Sequence, residues 1–162
     1  MDAHSKQVET LKTLFQKLWD YSLEFVNLIM MSTFYHHGTT EPNPTASAYE
    51  MIGEKLDDFW AIFIQNRSLL SEDIAEKIHW IYSWVKFLHK SAYENLPNSK
   101  GNENNIYLHS LKYELFHYHT YTNEYSKEEW DRLTYAEILK LLIKDMTGLV
   151  GEMRDLYEAE SE

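Results

Sequence analysis

Two short patterns in the chain could hold a metal: Glu76-x-x-His79 and Glu114-x-x-His117. At i,i+3 spacing a carboxylate and an imidazole lie on one side of a helix, so each pair can offer an oxygen and a nitrogen ligand. Two such pairs facing each other across a helical bundle would need only further carboxylates from neighbouring helices to bind two ions. A third candidate is the run His117-Tyr118-His119, and a fourth is His89. Either imidazole could serve in acid–base work if a second group stood within hydrogen-bond reach.

The paired E-x-x-H pattern resembles that of carboxylate-bridged di-iron bundles, in which every ligand projects into the bundle centre. A helical wheel at ~100° per residue tests that requirement. The third predicted helix has its apolar stripe on Ile74, Ile78, Ile81, Val85, Leu88 and Ala92. His79 lies roughly 140° from the centre of that stripe and Glu76 roughly 160°. In the fourth predicted helix the stripe is Leu108, Leu111, Leu115 and Tyr118. Glu114 lies roughly 80° from its centre and His117 roughly 140°. Neither pair points inward, and Glu24, the one glutamate in the middle of the first helix, lies on a polar face. Exposed polar pairs are the expectation, with Glu76, His79, Glu114 and His117 as the ligands of the alternative, a metal-dependent bundle enzyme. His119 and His89 border their apolar stripes and are expected to be hydrogen-bonded packing residues.

Other chemistries lack their residues. There is no Cys, which excludes a thiol nucleophile and Cys-ligated zinc or iron–sulfur sites. There is no Gly-rich phosphate loop, no G-x-S-x-G, no H-E-x-x-H and no acidic calcium loop. The Arg-x(4–6)-His spacing of small helical nucleases is also absent, since Arg67 precedes His79 by twelve residues and neither Arg132 nor Arg154 is followed by a His. No catalytic residue, metal or cofactor is therefore expected.

The elements that would position any site are helices. Val8, Leu11, Phe15, Leu18, Ser22, Phe25 and Ile29 recur three and four apart, which predicts a long first helix over 5–36. Leu14, Tyr21 and Leu28 flank that stripe on one side; Trp19 and Val26 flank it on the other. Tyr49, Ile52, Leu56, Phe59 and Phe63 predict a second helix over 47–65. Ser71 caps the third, over 72–93, with Glu72 and Asp73 complementing its positive end. The fourth is expected over 105–123. Ser126 with Glu129, then Thr134 with Glu137, form two successive capping boxes. They open a short helix to Leu133 and a last helix over 135–158 on Ile138, Leu142, Met146, Leu149 and Met153. Residues 37–46 and 94–105 carry the chain's three prolines and read as loops; 159–162 read as a frayed acidic tail. The expected fold is one all-α domain over 1–162, an antiparallel up-down bundle of four to five long helices built around a long helix 1.

Composition points the same way. The chain has 162 residues, 44% hydrophobic, with five Gly and three Pro, too few for many tight turns. Its polar N-terminus lacks the apolar stretch of a signal peptide, and no run of ~18 apolar residues is present. Those features and the absence of Cys make the cytoplasm the expected location. The net charge is −11 with scattered Lys and Arg, which disfavours direct binding to nucleic acid or to an anionic membrane.

What remains is a surplus of aromatics: seven Phe, five Trp and twelve Tyr. Trp80, Trp84 and Phe87 form a second stripe on the third helix, and Trp60, Tyr113 and Phe116 also lie off their main stripes. They either thicken the core or form a protein-binding surface, because Trp and Tyr dominate binding hot spots. The function expected is a non-enzymatic protein–protein interaction module that binds another protein or itself. Accessory subunits and inhibitors of bacterial, phage or mobile-element origin are the class-level analogy. A further alternative is an acidic nucleic-acid mimic using Glu50, Glu54, Asp57 and Asp58, extended by Glu72, Asp73 and Glu76.

Overall fold

A computed structural model describes residues 2–35, 45–99, 106–118 and 124–162. The chain is all-helical. Among the described residues α1 runs Ala3–Tyr35, α2 Thr45–Gln65, α3 Glu72–Ser99, α4 Ile106–Tyr118, α5 Lys127–Asp131 and α6 Tyr135–Ser161. A single 3-10 turn, Arg67–Leu69, joins α2 to α3. No helix among these residues is long and apolar enough to cross a membrane.

The apolar stripes turn inward as their spacing requires. Leu11, Leu14, Leu18, Tyr21, Phe25 and Ile29 of α1 are buried, as are Ile78, Ile81, Val85 and Leu88 of α3 and Ile138, Leu142, Met146 and Met153 of α6. α1 packs along both α2 and α6, and α3 packs against α2, α4 and α6. A stripe as wide as that of α1 serves two neighbours at once. The directions of some neighbours follow from side-chain pairs. Lys55 of α2 meets Glu24 of α1 at 2.9 Å, while Gln7 near the start of α1 donates to Glu160 near the end of α6 at 3.0 Å.

Both capping boxes form in full. The Ser126 hydroxyl accepts from the Glu129 N–H and the Glu129 carboxylate accepts from the Ser126 N–H; Thr134 and Glu137 repeat the exchange at α6. The other end of the short α5 is held by a buried lysine. The Lys112 ammonium donates to the Asp131 and Leu133 carbonyls at 2.8 and 2.9 Å, and the buried Trp130 indole donates to the Lys112 carbonyl at 3.0 Å. A five-residue helix could not persist alone. Lys112 supplies the donors its last carbonyls lack, and Trp130 anchors it to α4.

Three boundaries differ from expectation. The loop expected over 94–105 begins later, because α3 continues through Ser99 and past Pro97. Asn95 and Leu96 explain the extension. Leu96 is fully buried one turn after Ala92, and the Asn95 amide donates to the Ser91 carbonyl at 2.8 Å and to Glu114 of α4 at 3.4 Å. Burial against α4 outweighs the single backbone bond that a proline removes this close to a helix end. The acidic tail expected to fray from 159 is helical to Ser161, tied to α1 through Glu160 and Gln7. Residues 45 and 46, expected in a loop, open α2; positions 36–44, 100–105 and 119–123 lie outside the described residues.

Candidate functional site

The candidate metal ligands are not brought together. Glu76 and His79 are exposed near the start of α3, with the His79 ring 5.7 Å from that of Trp60. Glu114 is half-buried and accepts from Asn95 near the other end of the same helix. Asn95 and His79 are sixteen residues apart, roughly 24 Å along the axis. The side chain of His117 and all of His119 lie outside the described residues. Among those described, no three His, Asp or Glu side chains converge on a point where a metal ion could sit.

His89 is the most elaborated polar group of the interior. It lies half-buried on the α2 side of α3, and its Nδ1 is 2.7 Å from the hydroxyl of Tyr21 on α1. The ring stands 6.0 Å from Tyr49 and 6.5 Å from Phe25, and the Tyr49 carbonyl engages it from α2. Gly53 makes this approach possible. A Cβ at that position would come within 3.3 Å of His89 Nε2. With the fully buried Tyr21 hydroxyl donating, Nδ1 is the acceptor and the neutral imidazole carries its proton on Nε2.

Burial pushes the imidazole down to about 4, with the Tyr49 carbonyl and the distant Asp57 charge pulling weakly the other way. It is therefore neutral over the physiological range. Burial likewise raises the phenols of Tyr21 and Tyr49, the latter tempered by the Ser32 hydroxyl beside it. Nδ1 is engaged by Tyr21 and both phenols hold their protons, so the cluster ties α1, α2 and α3 together. The groove outside it, about 280 Å³, is edged by Glu50, Glu54, Asp57 and Lys86. Glu50 there accepts from the Tyr93 hydroxyl at 2.5 Å, which raises that phenol's pKa. One further carboxyl is perturbed: Asp145 on α6 is pushed up to about 7 by burial.

The six off-stripe aromatics fall in three places. Trp60 stacks on Tyr82 at 4.6 Å and leans on Phe63 at 5.4 Å, filling the seam between α2 and α3. Trp80, Trp84 and Phe87 form a ladder on the opposite flank of α3, with ring centroids 6.3 and 5.8 Å apart and the Lys77 ammonium 4.8 Å above Trp80. Trp84 and Phe87 are half-buried against the core, whereas Trp80 is exposed. On α4, Phe116 packs 5.6 Å from Trp130 while Tyr113 is exposed.

A different face gathers more exposed apolar area. On the outside of α1, Trp19, Leu23 and Met30 are exposed, and Met31 and Met51 stand across the seam between α1 and α2. Met51, Met30 and Leu23 keep 69%, 54% and 52% of their surface in water. Between the helices lies a hollow of about 330 Å³, floored by Leu28, Ala48 and Ile52 and rimmed by Met31 and Met51. A separate hollow on α1 is lined by Phe15, Gln16, Trp19 and Asp20, with Phe15 stacked on Tyr157 of α6 at 6.3 Å. The signal was present in the sequence as another three–four series, Trp19, Leu23, Val26 and Met30, displaced from the main stripe. Its meaning depended on where α2 and α6 would lie.

No family model matches this sequence, and neither a curated protein nor a solved structure matches it.

Proposed function

We propose that this chain is a non-enzymatic protein–protein interaction module: an acidic, up-down helical bundle that receives a partner on the outer face of α1 and α2. The observation that carries the reading is the exposed pair Met31 and Met51 over a shallow apolar hollow, with Trp19, Leu23 and Met30 exposed on the outer side of α1. Water-facing apolar side chains in a contiguous group mark binding surfaces, while isolated ones are ordinary. Methionine suits such a surface because its flexible thioether adapts to a partner's shape. The interior polar groups support the same reading from the other side. His89, Tyr21 and Lys112 are spent on contacts within the protein, and the candidate metal ligands Glu76 and His79 stand apart from Glu114.

The test compares the wild-type chain with a Leu23→Gln/Met30→Gln/Met51→Gln variant. Glutamine keeps helix propensity and adds no charge. All three side chains are exposed, so the stability of the variant should change by less than about 0.5 kcal/mol per site. Each protein is used as affinity bait in an extract of the source cells, and proteins enriched by the wild type are then mixed with it as purified components. At least one should form a stoichiometric complex with the wild type and fail to do so with the variant. Identical sets of captured proteins for both baits would overturn the assignment of the face.

A further inference from the structure

The chemistry of the α1–α2 face also carries a means of turning it off. We infer that the thioethers of Met31 and Met51 are a reversible oxidation site, converted by a peroxide to sulfoxides that make the rim of the hollow polar; this rests on the proposed interaction function and adds a regulation to it.

The first argument is access. The chain has no cysteine, so thioethers are the sulfur it offers to an oxidant. Met30, Met31 and Met51 keep 54%, 42% and 69% of their surface exposed, whereas Met146 and Met153 of α6 are fully buried. An oxidant must reach a sulfur lone pair, so exposure decides which methionines react. Among the described methionines, that confines the reaction to one face of the molecule.

The second argument is placement. Met31 of α1 and Met51 of α2 line the same hollow, over Leu28, Ala48 and Ile52. Hydrogen peroxide transfers one oxygen atom to a thioether: an S–O bond forms, the O–O bond breaks, and the second oxygen leaves as water with both protons. The sulfur gives up two electrons and the peroxide takes them. The product is a polar hydrogen-bond acceptor whose dehydration against an apolar partner is unfavourable. The rim then loses the flexible apolar character that suits it to binding. Sulfoxide reductases reverse the step with a dithiol: the thiols become a disulfide, the oxygen leaves as water, and each sulfoxide epimer has its own enzyme. The fold is left intact, because both side chains are exposed and neither belongs to the core.

The experiment treats the full chain with dilute hydrogen peroxide, removes the oxidant and follows three readouts. Peptide mass spectrometry gives the oxidation rate of each methionine. Retention on a phenyl column under native conditions reports exposed apolar surface. Complex formation with the partner isolated by the capture experiment reports binding. Met31 and Met51 should react at least about tenfold faster than Met146 and Met153. The oxidised chain should leave the column earlier, keep its helicity and urea midpoint, and bind the partner about tenfold or more weakly. Both sulfoxide reductases with dithiothreitol should restore retention and binding. Met31→Leu/Met51→Leu keeps the rim apolar and gives the oxidant no sulfur there. It should hold its partner through the same peroxide treatment, even with Met30 oxidised.

Oxidation of Met146 or Met153 as fast as that of Met31 and Met51, an unchanged retention, or a loss that the reductases cannot reverse would overturn the inference. Undiminished binding by the oxidised wild type, or loss of binding by peroxide-treated Met31→Leu/Met51→Leu, would overturn the switch at the rim and leave the interaction function standing. If the wild type and Leu23→Gln/Met30→Gln/Met51→Gln capture the same proteins, the interaction function falls on its own test, and the oxidation site stands or falls on rate, retention and reversal.

Discussion

The two long sides of α2 are built on opposite terms. Toward α3, the aromatic rings and the His89 imidazole find partners inside the protein. Tyr49 packs edge-on against Phe25, His89 and Tyr93, Trp60 stacks on Tyr82, and Gly53 gives up a side chain so that an imidazole can approach. Toward the outside of α1, Met51 faces Met31 over a floor of Leu28 and Ile52, and nothing of the described chain covers them. Met51 is two residues from Tyr49, which on a helix is about half a circumference. One side has been finished by folding. The other still has apolar surface whose removal from water would be favourable, by roughly 25 cal/mol per Å². Completion from within makes a structural site, and the apolar surface left exposed is what the proposed binding face rests on.

The sharpest way to break that contrast is to truncate both sides at neighbouring positions. Tyr49→Ala removes a fully buried ring and should cost about 3–5 kcal/mol of unfolding free energy. Met51→Ala should cost under about 0.5 kcal/mol, because its side chain is already in water. Urea unfolding of the two variants measures both. A loss of more than about 1.5 kcal/mol for Met51→Ala would mean that the outer face is structural, and the contrast would be void.

The next effect is a pH dependence of stability with two opposed contributions. His89 has a folded-state pKa near 4, below its ordinary 6.5. Its contribution is complete above pH 6.5 and is lost as pH falls toward 4, because the unfolded chain takes up the proton first. Asp145 is the reverse. Its folded-state value of about 7 exceeds 3.8, so its carboxyl favours the fold below about pH 4 and disfavours it as pH rises toward 7. Between pH 4 and 6.5 the two slopes have opposite sign, each at most about 1.4 kcal/mol per pH unit and smaller for groups that keep some water. Asp145→Asn should therefore make stability rise with pH across this window, and His89→Phe should make it fall. Unfolding midpoints at pH 4.5, 5.5 and 6.5 decide the matter, and parallel profiles for the two variants would refute the assignment of either group.

The all-helical class was legible because it follows from short-range repetition. The stripes of α1, α3 and α6, the Ser71 start of α3 and both capping boxes need only local residues to be read. The extension of α3 was not legible. Pro97 and the Asn-rich stretch signal a loop locally, and what overrides them is Leu96 buried against α4 and Asn95 bonded to Glu114, nineteen residues away. The same limit applies to the sites. A wheel places Glu76 and His79 off the apolar stripe correctly, since that needs only the helix itself. It cannot tell that Trp60 will find Tyr82, that Lys112 will find the end of α5, or that Trp19 and Leu23 will be left uncovered. Each of those outcomes is decided by a second helix, and the sequence carries no local trace of which helix arrives.

The smallest effect tests whether the finished side of α2 is held by its hydrogen bonds as well as by packing. Tyr21→Phe deletes the hydroxyl 2.7 Å from His89 Nδ1 and changes little else in a fully buried ring. The Nδ1 acceptor, sheltered from water, would then lack a donor, at a cost of about 1–3 kcal/mol. His89→Leu leaves the Tyr21 hydroxyl without its acceptor and should cost a similar amount. The double variant removes both members and should cost less than the two single losses added together. The shortfall, about 0.5 kcal/mol or more by a double-mutant cycle in urea, is the coupling between them. Additive losses would show that the two groups are merely neighbours. The α2–α3 side would then be finished by shape alone, and its difference from the α1–α2 face would be one of apolar coverage and not of polar satisfaction.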